Sequence, residues 1–228
     1  MSGQSTAPAS RRTKIFALAA GGSLVVGGVG FTLAAWTDTE WVFGGNGAGG
    51  AGVGTSTFEV EQSVAGAPFT AGWTQAETNP GQGMTFTADA LALSPGEASY
   101  AAVALRTVSG SVAGTLRLES ATPAAGITTA DADEILWDAL QVRVATTATS
   151  ASCSAATFND PAAVIASGSL GTAGATVTQA LAANSGSAQA YCFEVSLPTS
   201  PALPAGFELD ALQGRTVAPA WEFTAESA

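Results

Sequence analysis

The chain has 228 residues, of which 46% are apolar and only 11% charged, and small side chains (Ala, Gly, Ser, Thr) make up much of the rest. It contains no histidine, which excludes Ser-His-Asp and Cys-His nucleophile systems, the usual zinc-hydrolase sites and the common general base near neutral pH. From Trp36 onward there are 4 basic and 18 acidic residues, a net charge of −14, and a surface this acidic repels nucleic-acid phosphates and anionic lipid headgroups.

The first element is a leader. Arg11, Arg12 and Lys14 precede Ile15–Ala35, an uncharged apolar run that closes on the small residues Ala34 and Ala35. This is the n-region and h-region pattern of a signal peptide, predicted as a hydrophobic helix over residues 1–35. The run is also long enough to span a bilayer, so a retained anchor is the alternative to cleavage. Contact with a membrane is expected only through this segment while it is uncleaved. Residues 36–54 follow as an aromatic segment, with Trp36, Trp41, Val42 and Phe43, and a glycine-rich linker, Gly44–Gly54. A segment so apolar should pack, either on its own domain or on another molecule. The linker is no phosphate loop, because no Lys-Ser/Thr follows it.

The run GGVGFTLAAWTDTEW resembles the SipW-type signal peptide and cleavage region of the TasA/camelysin family of exported proteins. Its matching residues are Ala34, Ala35, Trp36 and Asp38, with Glu40 following. The resemblance implies cleavage before Trp36, or one residue earlier, by a dedicated signal peptidase. It also implies a secreted, extracellular or cell-surface location, a jelly-roll-like sandwich, and assembly into biofilm-matrix fibres. Two further stretches are similar to the family: Leu91-Ala-Leu93-Ser-Pro95-Gly96-Glu97, like its L-x-P-G turn, and the closing Trp221-Glu-Phe223-Thr-Ala225. Residues 120–190 depart from it in length and content.

Residues 55–228 read as an all-β domain. Alternation of period two predicts strands over Thr57–Gln62, Gly83–Leu93, Thr115–Glu119, Leu140–Val144, Tyr191–Leu197 and Ala220–Ala225. Ser99–Val108 is a near-continuous apolar run, as in a strand buried on both faces. Turn signals separate these runs, among them Asn79-Pro80-Gly81, Ser94-Pro95-Gly96, Ser109-Gly110 and Ser185-Gly186. One short helix is predicted near Ile135-Leu136-Trp137, capped by Thr129, with Asp131, Asp133 and Glu134 at its positive end. Many short strands between turns predict a two-sheet sandwich. Cys153 and Cys192, the only cysteines, most simply form one disulfide in an exported chain, with two buried thiols as the alternative. A metal site would lack a third soft ligand.

No catalytic constellation, metal site or cofactor site is expected. The HExxH motif of a metalloprotease is missing. Asp131, Asp133, Glu134 and Asp138 could offer oxygens to calcium, but their spacing fits no calcium loop, and a solvated helix start is the simpler reading. Trp137 and Trp221 are expected in the core. Trp73 is the best candidate for an exposed stacking platform. Three function classes remain: a fibre or surface-layer subunit that self-associates or joins a related matrix protein, a monomeric binding module for carbohydrate or a surface partner, and a hydrolase with an unfamiliar acidic site. The first is favoured, with Trp36, Asp38, Trp41, Val42 and Phe43 as the assembly segment.

Overall fold

The computed structural model describes residues 39–87 and 89–228. The predicted leader helix, the cleavage residues Ala34, Ala35 and Trp36, and Asp38 lie outside the described residues. The chain divides into two units, one up to Val53 and one over Gly54–Ala228.

The second unit is all-β and sandwich-like. Its strands are β1 (Val60–Ser63), β2 (Ala98–Thr107), β3 (Gly114–Pro123), β4 (Gln141–Thr147), β5 (Val164–Ser169), β6 (Gln179–Leu181), β7 (Gln189–Ser196) and β8 (Pro219–Ser227), with one helix, α1 (Ile135–Ala139). They form a five-stranded sheet in the order β1-β2-β7-β4-β5 and a three-stranded sheet in the order β6-β3-β8. Every ladder is antiparallel.

Alternation selects the inner faces. Val103 and Leu105 on β2, Tyr191, Phe193 and Val195 on β7, and Val142 and Val144 on β4 share one buried cluster with Leu116 and Leu118 on β3. Trp221 and Phe223 of β8 close it from the second sheet, with ring centroids 4.8 Å from Phe193 and Tyr191 respectively. Each such fully buried large side chain contributes about 1.5–3 kcal/mol of transfer free energy. The Tyr191 hydroxyl is buried there with no hydrogen-bond partner among the described residues. Burial raises its pKa. The outer face of the three-stranded sheet is polar, carrying Arg117, whose guanidinium lies 2.7 Å from Glu119.

The five-stranded sheet is covered on its outer face as well. The register sets Ala102, Cys192 and Ala145 side by side, and Ala104 beside Ala190. These small side chains leave room for two flaps. In the first, Phe69 packs on Ala104 and Ala190, with Trp73 beside it. In the second, Phe158 packs on Ala145 and Cys192, and Cys153 is joined to Cys192 by the disulfide. An arginine seals each flap. Arg106 lies 4.0 Å over the Trp73 ring and bonds Glu61 at 2.7 Å. Arg143 lies 4.6 Å over the Phe158 ring and grips Glu194 with two bonds of 2.6 and 2.7 Å. Such two-point geometry suits the planar guanidinium.

Several predicted elements differ in the structure. Gly83–Leu93 alternates but forms no strand among the described residues, where 82–86 find no backbone partner. Strands β5 and β6 carry small or polar residues and were not predicted from periodicity. Glu134, with φ 56°, stands at the N-cap of α1, not Thr129. The capping work is done by Asp131, whose carboxylate accepts the amides of Leu136 and Trp137 at 3.1 and 2.8 Å. Ser94–Glu97 does form its turn, with the Glu97 amide bonded to Ser94 O at 3.0 Å and Gly96 at φ +94°. A positive φ at the third position of such a turn favours glycine.

Candidate functional site

Two features of the described residues stand apart from an ordinary closed sandwich. The first is the aromatic segment. Trp41, Val42 and Phe43 are 93%, 93% and 73% exposed. The glycine-rich stretch that follows is folded back on itself rather than extended. Gly45 bridges Ala51, and the Asn46 side chain accepts the amides of Ala48 and Gly50 at 2.9 and 3.0 Å. Gly52 has to be glycine here, since a Cβ would meet the Gly45 backbone.

The second is a groove of about 1030 Å³ in the sandwich. On one side runs β8, which pairs only with β3 among the described residues, so its other edge is free. On the other side runs β1, whose outer edge meets only Thr74 among the described residues, Gln62 and Thr74 exchanging a pair of backbone bonds. Val103, Leu105 and Phe193 reach the groove from the core, and Trp221 and Phe223 line it from β8. The side-chain oxygen of Gln82 and the indole nitrogen of Trp221 belong to residues of this groove, and both are buried with no hydrogen-bond partner among the described residues. A free edge beside a groove that reaches the core is the arrangement that accepts an added strand. Glu59, Glu61, Glu77 and Glu222 also line the groove, so its surroundings are acidic.

Other sequence candidates are placed differently. Trp73 is not a bare platform. Its ring is half-buried, packs on the first flap and carries the Arg106 guanidinium over one face. Trp137 and Trp221 both pack on the main core. The acidic cluster is dispersed. Asp131 is 3% exposed in its side chain and bonds Arg215 at 2.8 Å in addition to its two amide bonds, while Asp133 is 68% exposed. Its Oδ1 accepts from Leu136 and Arg215 and its Oδ2 from Trp137, so this carboxylate serves as a helix cap and ion-pair partner. Among the described residues, no group of three or more metal-binding side chains stands together. No helix among them is long and apolar enough to cross a membrane.

Periodicity could not find the groove, because it depends on which strands lie at the two sheet edges. Comparison with protein-family models, curated proteins and solved structures returns no match.

Proposed function

We propose that the chain is an exported structural subunit of an extracellular fibre, biofilm matrix or cell-surface layer, and that it assembles by donating its N-terminal segment as a strand to a neighbouring copy or a related matrix protein. The observation that carries this reading is the coexistence, in one chain, of an exposed apolar segment and an unpaired strand edge beside an open apolar groove. In a strand, Trp41 and Phe43 fall on one face and Glu40 and Val42 on the other. The first pair suits the groove, and added main-chain bonds to β8 supply affinity. Trp36–Phe43 spans roughly 26 Å when extended, and an opened linker adds up to about 36 Å. Donor and acceptor are different surfaces, so the contact is heterologous and propagates into a filament.

The resemblance to the TasA/camelysin family supports the same reading, along with a jelly-roll-like topology and removal of residues 1–35 by a signal peptidase. The Cys153–Cys192 disulfide is compatible with an oxidising, extracellular compartment. No catalytic role and no cofactor are part of this proposal.

The test is the assembly of purified chain beginning at Trp36, followed by light scattering and electron microscopy across a concentration series. The expected result is a growing mass and filaments, with W41S/F43S remaining monomeric at the same concentrations. Filaments formed equally by both proteins would overturn strand donation. A strict monomer in both would overturn self-assembly.

A further inference from the structure

One wall of the groove is a segment that belongs to neither sheet, within residues 75–87. It is tied to β1 at one end, where Thr74 and Gln62 exchange two backbone bonds of 2.9 Å. In the middle, the Asn79 side chain accepts the Ala125 amide at 2.7 Å and donates to Pro123 O at 3.1 Å, reaching the end of β3. At the far end the Thr87 amide bonds Tyr100 O at 2.8 Å, on β2. Between the last two ties the segment behaves as a strand without a sheet. Gln82, Met84 and Phe86 are half-buried, while Gly83, Thr85 and Thr87 are exposed. Met84 and Phe86 pack on the main core. Yet residues 82–86 make no backbone–backbone hydrogen bond among the described residues, and the buried Gln82 oxygen has no partner.

We propose that residues 75–87 form an autoinhibitory strap that packs along the acceptor groove in cis, with Met84 and Phe86 on the core beneath it, and is displaced when another copy's N-terminal segment enters. This rests on the strand-donation reading above. The strap supplies side chains of the right spacing but no ladder. An incoming strand supplies both: Trp41 and Phe43 take the places of Met84 and Phe86, and the backbone pairs with the free edge of β8. The exchange is favoured because the strap makes no ladder over residues 82–86, whereas an added strand gains main-chain bonds to the edge of β8. The strap thereby keeps a free chain soluble, since its departure would expose the core residues of the groove. It also sets the concentration at which assembly begins. Apparent affinity for the donor is the intrinsic affinity reduced by the fraction of molecules with the strap open.

The experiment uses the chain beginning at Trp36 with W41S/F43S, so that it offers no donor of its own. The probe is a fluorescently labelled synthetic peptide of residues 36–43. Its binding is read by anisotropy, and the state of the strap by the rate of chymotryptic cleavage at Phe86, which tracks the open population. Two loosening substitutions are compared: Asn79→Ala, which removes the middle tie, and Met84→Ala, which removes packing. The expected result is peptide binding about tenfold tighter in each loosened variant, for a tenfold rise in open fraction. Saturating peptide is also expected to accelerate Phe86 cleavage at least several-fold. Asn79→Ala removes no buried apolar group, so the comparison stands even if Met84→Ala does not fold. Equal affinity across the variants, with Phe86 cleavage unchanged by bound peptide, would overturn the strap and leave strand donation intact. No binding to any variant would overturn both.

Discussion

Breaking the Cys153–Cys192 bond tests the architecture of the outer sheet face most directly. The bond closes a loop with a sequence separation of 39 residues. In the loop-entropy account, freeing such a loop in the unfolded chain costs the fold about 4 kcal/mol at 25 °C. The replacement should add little packing loss of its own. Position 192 lies between Ala102 and Ala145, so an alanine there continues a row of alanines. The local consequence is sharper than the global one, because Phe158, 7% exposed, is held on the sheet by the same flap. We expect C153A/C192A to unfold reversibly in urea with a loss of roughly 3–4 kcal/mol, equivalent to a fall in Tm of roughly 10 °C for a domain of this size. The parent protein under reductant should match it. Hydrogen exchange should then show residues 153–163 losing protection while β2 and β7 keep theirs. A loss under about 1 kcal/mol would refute the entropic reasoning. Unchanged protection of 153–163 would refute the claim that the disulfide pins the flap.

The two tyrosines make a test at high pH. Burial raises the pKa of Tyr191, and burial and then Glu194 raise that of Tyr100, so neither should ionise near its ordinary value while the chain is folded. Groups raised in this sense give stability that is fully present below the unfolded value, about 10, and is lost as pH climbs through the folded one. Absorbance at 295 nm should therefore show no Tyr191 phenolate at pH 10 while the chain is folded, and Tyr191→Phe should flatten the fall in stability. A reversible step near pH 10 in folded protein that Tyr191→Phe removes would contradict this. At Gly114, a Cβ would collide with the Glu226 carbonyl and the Phe58 ring, where β3 meets β8. Gly114→Ala should cost about 1–3 kcal/mol, and an unchanged urea midpoint would show that the β8 end yields freely.

Much of the fold was legible in the order of residues, because a half-buried strand writes its burial into a period of two. Val142 and Val144, Leu116 and Leu118, and Tyr191, Phe193 and Val195 all announced their strands this way. The absence of histidine likewise removed whole classes of chemistry without reference to any structure. Where the reading failed, the cause was a partner distant in sequence. Residues 82–86 carry the alternation of a strand, but a strand also needs a neighbouring backbone, and only the tertiary structure shows that these residues make no backbone–backbone bond among the described residues. Asp131 looked like one of several solvated acids until Arg215, 84 residues away, was brought beside it. The alanines at 102, 104, 145 and 190 carry no signal in the sequence, yet they make the shelf on which both flaps lie. The aromatic segment was visible in the sequence, but the exposure of Trp41, Val42 and Phe43 was not. The free edge of β8 and the groove beside it belong to no stretch of sequence, because they are defined by which strands the topology leaves at the border. Periodicity is a local property and determines the elements, while edges, flaps and grooves arise from their arrangement in space.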